Sequence, residues 1–352
     1  MSRIAFIVVL MLYVAQTPIT GQSPRPITKP FEQELKKWMD YFHIPGLAVG
    51  VKKGEELIYE NYFGHANIAT KQKVQATTVF PIASVTKTLT VLTILNLVEE
   101  GTLSLNASIL DYLPQSKLPE SVQVQHLLSH TSEGIPGETY IYSTRIGLLK
   151  SIVEQVTAQT FEEYIQENLL DKLGLASTHF LTENTIAALG DTLAKPYFFF
   201  GSTEPGIYEP GFSVTSGLAM TMRDLMRFDR MLDNGTVCSK SMKSKAFTPF
   251  QSKKGEAFPY GLGIFVQDIG GASVVWSYGQ YDCFSSLYLK VPDSDLTLVL
   301  LANNNLMSDP ARLINGDIRY SLFARTFFRH FLQEDGATKQ AWMSRATQKG
   351  EG

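Results

Sequence analysis

Ser84-Val85-Thr86-Lys87 is the only Ser-x-x-Lys in the sequence; it lies in the stretch Phe80 to Glu100 and is followed by a run of Leu, Ile, Val and Thr with no helix breaker before Gly101. A helix beginning near Ala83 puts Ser84 in its first turn and Lys87 one turn on, so both side chains leave from one face. A hydroxyl at that position lies beside free backbone N–H groups, which suit developing negative charge. An amine within reach can take the hydroxyl proton, which is the minimum needed to make serine a nucleophile. The plainer alternative is a solvated helix start. Against it, the Leu, Ile and Val residues around Lys87 predict burial, and a lysine buried without a task is unfavourable. Apolar residues all round the segment predict a helix enclosed between two layers.

Other constellations are weaker. His126 and His130 have helical i, i+4 spacing, as a zinc pair would, but Leu127 stands where a zincin carries glutamate and no third ligand is evident. A role in tying the helix end to the following loop suits them better. The sequence has no Gly-x-Ser-x-Gly elbow, phosphate-binding loop or dinucleotide fingerprint. The aromatic run Tyr197 to Phe200 suits either a substrate entrance, a membrane contact or core packing.

The elements that must position Ser84 follow from the rest of the chain. The 352 residues, 44% hydrophobic and 18% charged, allow one large domain with an insertion or two ordinary ones. A net charge of −3 carries no basic excess, so nucleic acid is not indicated as a partner. Arg3 followed by the apolar run Ile4 to Val14 and small polar residues has the layout of a secretory signal peptide, residues 1–21. That run is shorter than the ~20 apolar residues a bilayer requires, so no stable membrane span is expected after cleavage and the product would be secreted or periplasmic. In an exported chain Cys238 and Cys283 are open to either a disulfide or two free thiols.

Residues 31–42 have apolar positions at helical spacing, and 46–52 with 56–62 form a hairpin pattern around Lys53-Gly54-Glu55. After the central helix, 121–128, 145–158, 161–173 and 222–232 predict helices. Strand patterns return at 260–268, 273–279, 284–291 and 296–302, and a last helix is expected over 310–332. Strands at both ends with helices between predict one antiparallel sheet built from both chain ends, flanked by helices, plus an all-helical insertion. The sheet lobe is expected at about 31–100 and 240–333 and the helical lobe at about 101–239, within a domain spanning 22–352. Ser84 would lie in the cleft between them.

In this order the chain resembles the serine β-lactamase-related superfamily, comprising class C β-lactamases, D-alanyl-D-alanine carboxypeptidases and related esterases, for which Ser-x-x-Lys is a signature. The resemblance rests on Phe80 to Lys87, on His126-Leu127-Leu128-Ser129-His130-Thr131-Ser132, and on Ser216-Gly217-Leu218 through Arg223-Asp224-Leu225. It continues through Cys283-Phe284-Ser285-Ser286 before Pro292 to Leu301-Ala302-Asn303. It implies a β-lactamase/transpeptidase-like α/β fold of the α+β kind.

The resemblance also implies site residues. The family's Tyr-x-Asn falls at Tyr142-Ser143-Thr144, with threonine in place of asparagine. Tyr140 is a rival, and the literal Tyr59-Glu60-Asn61 lies upstream in a strand. The family's Lys-Thr-Gly or His-Thr-Gly falls at Ser277-Tyr278-Gly279, where the glycine is kept and the basic residue is lost; Lys253-Lys254-Gly255 is a literal match in a polar loop. The implied roles are Ser84, Lys87 and Tyr142 as catalytic residues and the backbone N–H groups of Ser84 and Gln280 as oxyanion hole. Thr144, Ser277, Tyr278 and Gly279 would line the substrate, and no metal or organic cofactor is implied.

These residues predict an exported serine hydrolase acting by acyl transfer on a small-molecule or peptide substrate. Ser277 supplies no positive charge, and charge-assisted bonds are roughly twice as strong as neutral ones. Thr144 lacks the two-way hydrogen bonding of an amide. Esters or uncharged amides are therefore expected over carboxylate-bearing β-lactams and D-alanyl peptides. The alternative is a catalytically silent relative that binds a cell-wall or peptide ligand.

Overall fold

The computed structural model describes residues 28–332. The expected signal segment and the tail after Glu334 lie outside the described residues. Strands are β1 Gly46–Lys53, β2 Glu56–Asn67, β3 Gln72–Lys73, β4 Phe80–Pro81, β5 Thr178–Phe180 and β6 Tyr197–Phe199. They continue with β7 Thr203–Pro205, β8 Leu218–Met220, β9 Phe265–Ile269, β10 Ala272–Gln280, β11 Ser285–Val291 and β12 Leu296–Ala302. Helices are α1 Thr28–Tyr41, α2 Val85–Glu99, α3 Val124–Leu128, α4 Leu149–Thr157 and α5 Phe161–Ile165. After them come α6 Glu183–Leu189, α7 Met222–Asp233, α8 Lys240–Ala246 and α9 Leu322–Phe331.

Seven strands form one antiparallel sheet in the order β3-β2-β1-β12-β11-β10-β9, so the two ends of the chain meet where β1 pairs with β12. Both faces are covered, and the strands accordingly read as apolar runs rather than as alternation. Leu47, Val49 and Val51 of β1 and Leu298 and Leu300 of β12 join the core beneath α1 and α9. Ala48, Val299 and Leu301 face the opposite core, with α2 and α7. Gly50 of β1 lies so close to α7 that a Cβ there would be 2.4 Å from Met222 Sδ.

A buried ionic network joins α7 to the sheet. Fully buried Asp229 binds Lys52 at 2.7 Å, Tyr288 Oη at 2.6 Å, Thr297 Oγ1 at 2.9 Å and also Lys290. Asp233 accepts from Lys52 and Lys290 as well, and burial notwithstanding, these two ammonium groups hold its carboxyl at about 2.

The insertion, expected to be all helical, also carries β5 to β8. β8 pairs with β5 and with β4 immediately before Ser84, and β6 pairs with β7. Three-residue strands show no alternation in sequence, and these are held by backbone pairing. The 310–332 region is a helix only from Leu322, preceded by single 3₁₀ turns, because Arg312 and Gly316 take left-handed φ of 44° and 80°. The 260–268 strand is confined to Phe265 onward, since Gly261 and Gly263 are held against Ala246 O and Val91. Among the described residues no helix is long and apolar enough to cross a membrane.

Candidate active site

Helix α2 is enclosed: every residue from Val85 to Leu95 is buried. Its buried threonines fasten neighbouring loops. Thr86 Oγ1 accepts the Leu218 N–H, Thr90 Oγ1 donates to Val214 O, and Thr88 Oγ1 donates to Gly263 O. Ser84 is the N-cap residue but its side chain caps nothing. Ala83 before it has φ of 45°, a left-handed conformation that a residue with a Cβ rarely adopts and that recurs at functional sites. The segment is pinned into it by β4 and by the Ile82 N–H bond to Leu218 O.

The free Ser84 hydroxyl faces Lys87, whose Nζ lies 2.8 Å from Ser84 Oγ and donates to Thr215 O at 3.0 Å. Lys87 is buried with no carboxylate bonded to it, and desolvation pushes its amine from 10.5 down to about 7. At neutral pH about half of it is therefore uncharged amine. Its Nζ sits 5.2 Å from the centre of the Tyr142 ring. Burial drives the Tyr142 phenol above its ordinary range, and the Ser84 hydroxyl pulls the other way.

Ser277-Tyr278-Gly279 lies at the end of β10. Tyr281 N–H donates to Phe284 O at 2.9 Å, so by the alternation of an antiparallel ladder the Gln280–Ser285 pair is not hydrogen-bonded. The Gln280 N–H therefore points to the other edge of β10, where pairing with β9 has already ended at Trp276–Phe265. Gly279 allows this edge to approach the start of α2: a Cβ there would be 2.2 Å from Ile82 O and 2.3 Å from Ser286 Oγ. Ser286 Oγ itself donates to Ile82 O at 2.7 Å, fastening β11 to the residue two before Ser84.

Ser84, Lys87 and Tyr142 are thus brought together, with the strand carrying Gly279 and Gln280 beside them. Ser277, buried, follows the alternation of Val275 and Gly279 on the α2 side of the sheet. Tyr278 goes to the opposite side, into an aromatic cluster with Trp276, Phe265 and Tyr142, where burial raises its phenol to about 12. Its ring stacks on that of Tyr142 with centroids 6.4 Å apart. Thr144 is exposed at the start of a 3₁₀ turn, Thr144–Leu148, and none of the described bonds joins it to Ser84 or Lys87.

The rivals have other employment. Tyr59 and Asn61 both donate to Glu32 on α1. Lys253 is an exposed loop residue whose N–H meets Glu138. Tyr140 packs on Phe258 and Tyr260. His126 Nδ1 accepts the Gln123 N–H in a capping box at the start of α3. Of the aromatic run, Tyr197 is buried and accepts the Ile68 N–H, Phe199 stacks on His43 at 3.8 Å, and Phe200 is 87% exposed. Cys238 and Cys283 are both free and buried. Sequence reasoning missed the Thr215 carbonyl as a Lys87 partner, and it treated His130 as a loop tie without linking it to Tyr142; no local pattern marks either contact.

The comparisons agree with this architecture. The Beta-lactamase family profile matches residues 31–319. Protein flp of Staphylococcus aureus (strain N315) is 29% identical over 333 residues, covering 82% of this chain; the chain spans 65% of that relative's length. Penicillin-binding protein 4* of Bacillus subtilis (strain 168) is 23% identical, covering 78% of this chain and 72% of its own. Among solved structures, the octameric penicillin-binding protein homologue from Pyrococcus abyssi superposes with a TM-score of 0.73 at 23% identity, over 82% of this chain and 76% of that one. EstCE1, a hydrolase with promiscuous acyltransferase activity, gives 0.70 at 18% identity, over 90% and 98%. The structural likeness speaks for a shared fold, and the profile match over most of the chain decides membership: this chain belongs to the beta-lactamase family, within the serine β-lactamase and transpeptidase superfamily.

Proposed function

We propose that the chain is an exported serine hydrolase that works through an acyl-enzyme on esters or uncharged amides. The observation that carries the reading is the 2.8 Å contact between Ser84 Oγ and a buried Lys87 amine held at about 7. A base poised near the working pH is the most efficient kind. Lys87 is favoured as that base over Tyr142, whose buried phenol keeps its proton at neutral pH. In acylation Ser84 Oγ bonds to the substrate carbonyl carbon while its proton passes to Lys87 Nζ. The carbonyl oxygen, now negative, takes hydrogen bonds from the Ser84 and Gln280 N–H groups, each such donor contributing ~3 kcal/mol. Collapse expels the leaving alkoxide or amine, which is protonated from Lys87 by way of the Tyr142 hydroxyl. Water, deprotonated in turn by Lys87, then bonds to the acyl carbon; the bond to Ser84 Oγ breaks, Lys87 returns the proton to that oxygen, and the acid leaves.

The substrate preference rests on Ser277, which offers no cation for a substrate carboxylate, and on the exposed Thr144 in place of an amide. EstCE1, a hydrolase with promiscuous acyltransferase activity, supports acyl transfer, and the penicillin-binding protein among the relatives supports a peptide-like alternative. Export is supported by the composition of residues 1–21. Turnover of short p-nitrophenyl esters, nitrocefin and a D-alanyl-D-alanine peptide tests the ordering. Esters are expected fastest; nitrocefin or the peptide cleaved well ahead of them would overturn it.

A further inference from the structure

We infer that His130 is the positioning residue for Tyr142, holding the backbone before it through its own carbonyl and the backbone after it through a neutral imidazole protonated at Nε2. Residues 131–143 form no helix or strand, so a phenol carried on that loop needs outside ties to stay beside the nucleophile. His130 supplies two. Its carbonyl accepts the Ile141 N–H at 2.9 Å, and its Nδ1 accepts the Ser143 N–H at 3.1 Å. Between these anchors the Tyr142 ring lies on the imidazole with centroids 4.3 Å apart, while Tyr260 meets the imidazole edge-on at 4.8 Å.

The histidine is itself fixed to the catalytic helix. Leu128 O, two residues earlier, accepts the Gly263 N–H, and Gly263 O accepts from Thr88 of α2. One short chain of bonds therefore runs from the helix bearing Ser84 and Lys87 to the loop bearing Tyr142. His130 adopts φ of +55° to reach this position and is 2% exposed.

The tautomer follows from the bonding. An Nδ1 that accepts a backbone N–H carries no proton, so the proton is on Nε2, which is buried and bonded to nothing among the described residues. Protonating Nδ1 would set two donors against each other and release Ser143. The ionisable groups facing the ring are Lys87, Tyr142 and Tyr260; burial and the nearby Lys87 push its pKa down to about 3, so the imidazole is neutral from pH 5 to 8. A metal or acid–base role for the His126–His130 pair is not needed to account for it.

The inference rests on the proposed role of Tyr142, and the test separates the two. His130→Phe keeps a ring on Tyr142 but removes the Nδ1 acceptor; His130→Asn keeps an acceptor near the Nδ1 position and tolerates positive φ. With ester substrate, His130→Phe is expected to lower kcat by ~10- to 100-fold with KM within about threefold, since a displacement near 1 Å can cost ~10²-fold. His130→Asn is expected to recover most of that loss. Folded His130→Phe with wild-type kcat, or His130→Asn as impaired as His130→Phe, would overturn the inference. Nitrogen-15 NMR of the resting wild-type protein gives a reading independent of turnover and of whether His130→Phe folds. A bare, accepting Nδ1 with a protonated Nε2, unchanged from pH 5 to 8, is expected; the Nδ1–H tautomer or titration in that range refutes the clamp. Failure of wild-type Ser84 to react with any acyl donor would instead sink the hydrolase reading, with the NMR result still deciding the clamp.

Discussion

Replacing Lys87 by methionine isolates the electrostatics on which the chemistry depends. Methionine retains most of the buried stem and cannot ionise. In the unfolded chain Lys87 holds its proton up to about 10.5; in the fold it releases it near 7. Between those values the unfolded chain binds more protons than the native protein, so this group makes stability rise with pH. Its destabilising contribution is fully present below pH 7 and vanishes above about 10.5. The slope in that window is about 1.4 kcal/mol per pH unit, which amounts to about 2–3 kcal/mol between pH 7 and 9. Losing the bonds to Ser84 Oγ and Thr215 O adds an offset that does not depend on pH in this window. Urea unfolding of wild type and Lys87→Met at several pH values gives the comparison, and subtraction removes every other titrating group. The stability of Lys87→Met relative to wild type is expected to fall by about 2–3 kcal/mol from pH 7 to 9. A difference constant within ~0.5 kcal/mol over that range would mean that Lys87 keeps its ammonium in the fold, and the neutral-base argument would fail.

Three further substitutions probe other parts of the account. Tyr142→Phe keeps the ring packing on His130 and Phe265 and is expected to lower kcat by ~10²- to 10⁴-fold with little change in Tm, measured by ester turnover and thermal unfolding. Gly279→Ala places a methyl against Ile82 O and Ser286 Oγ, so the end of β10 must move off the start of α2. A loss of ~10²-fold or more in kcat is expected for the displaced Gln280 donor, together with ~1–3 kcal/mol of stability in urea unfolding. Asp229→Ala leaves the Lys52 and Lys290 ammonium groups without their shared, fully buried partner and should destabilise by ~3–5 kcal/mol. None of the bonds of Asp229 reaches Ser84, Lys87 or Tyr142, so kcat of the folded protein should stay near wild type.

What could be read from the chain alone follows the range of the interactions. Ser84 and Lys87 share one helical turn, so their contact is local and visible in the spacing. A tight turn pairs Gln280 with Ser285 and Gly279 with Ser286, so the spacing between Ser277-Tyr278-Gly279 and Phe284-Ser285-Ser286 is local. The enclosure of α2 was legible because apolar residues surround it on all sides. Contacts between distant segments left no such trace. Nothing local to His130 shows that it brackets a tyrosine twelve positions on, or that Lys52 and Lys290 meet at Asp229. The 310–332 region misled because its apolar spacing suits a helix, while the Asn315-Gly316-Asp317 turn signal within it prevailed up to Leu322. The strand alternation that places Ser277 toward α2 sends Tyr278 to the other face, where its ring packs on that of Tyr142.

The central claim is a serine made nucleophilic by a neutral lysine, and intact-protein mass spectrometry with a fluorophosphonate reads it directly. One adduct per chain is expected, on the peptide holding Ser84, forming faster as the pH rises through about 7 and absent from Ser84→Ala. Wild-type protein that stays unmodified, or an adduct that persists in Ser84→Ala, would contradict the account.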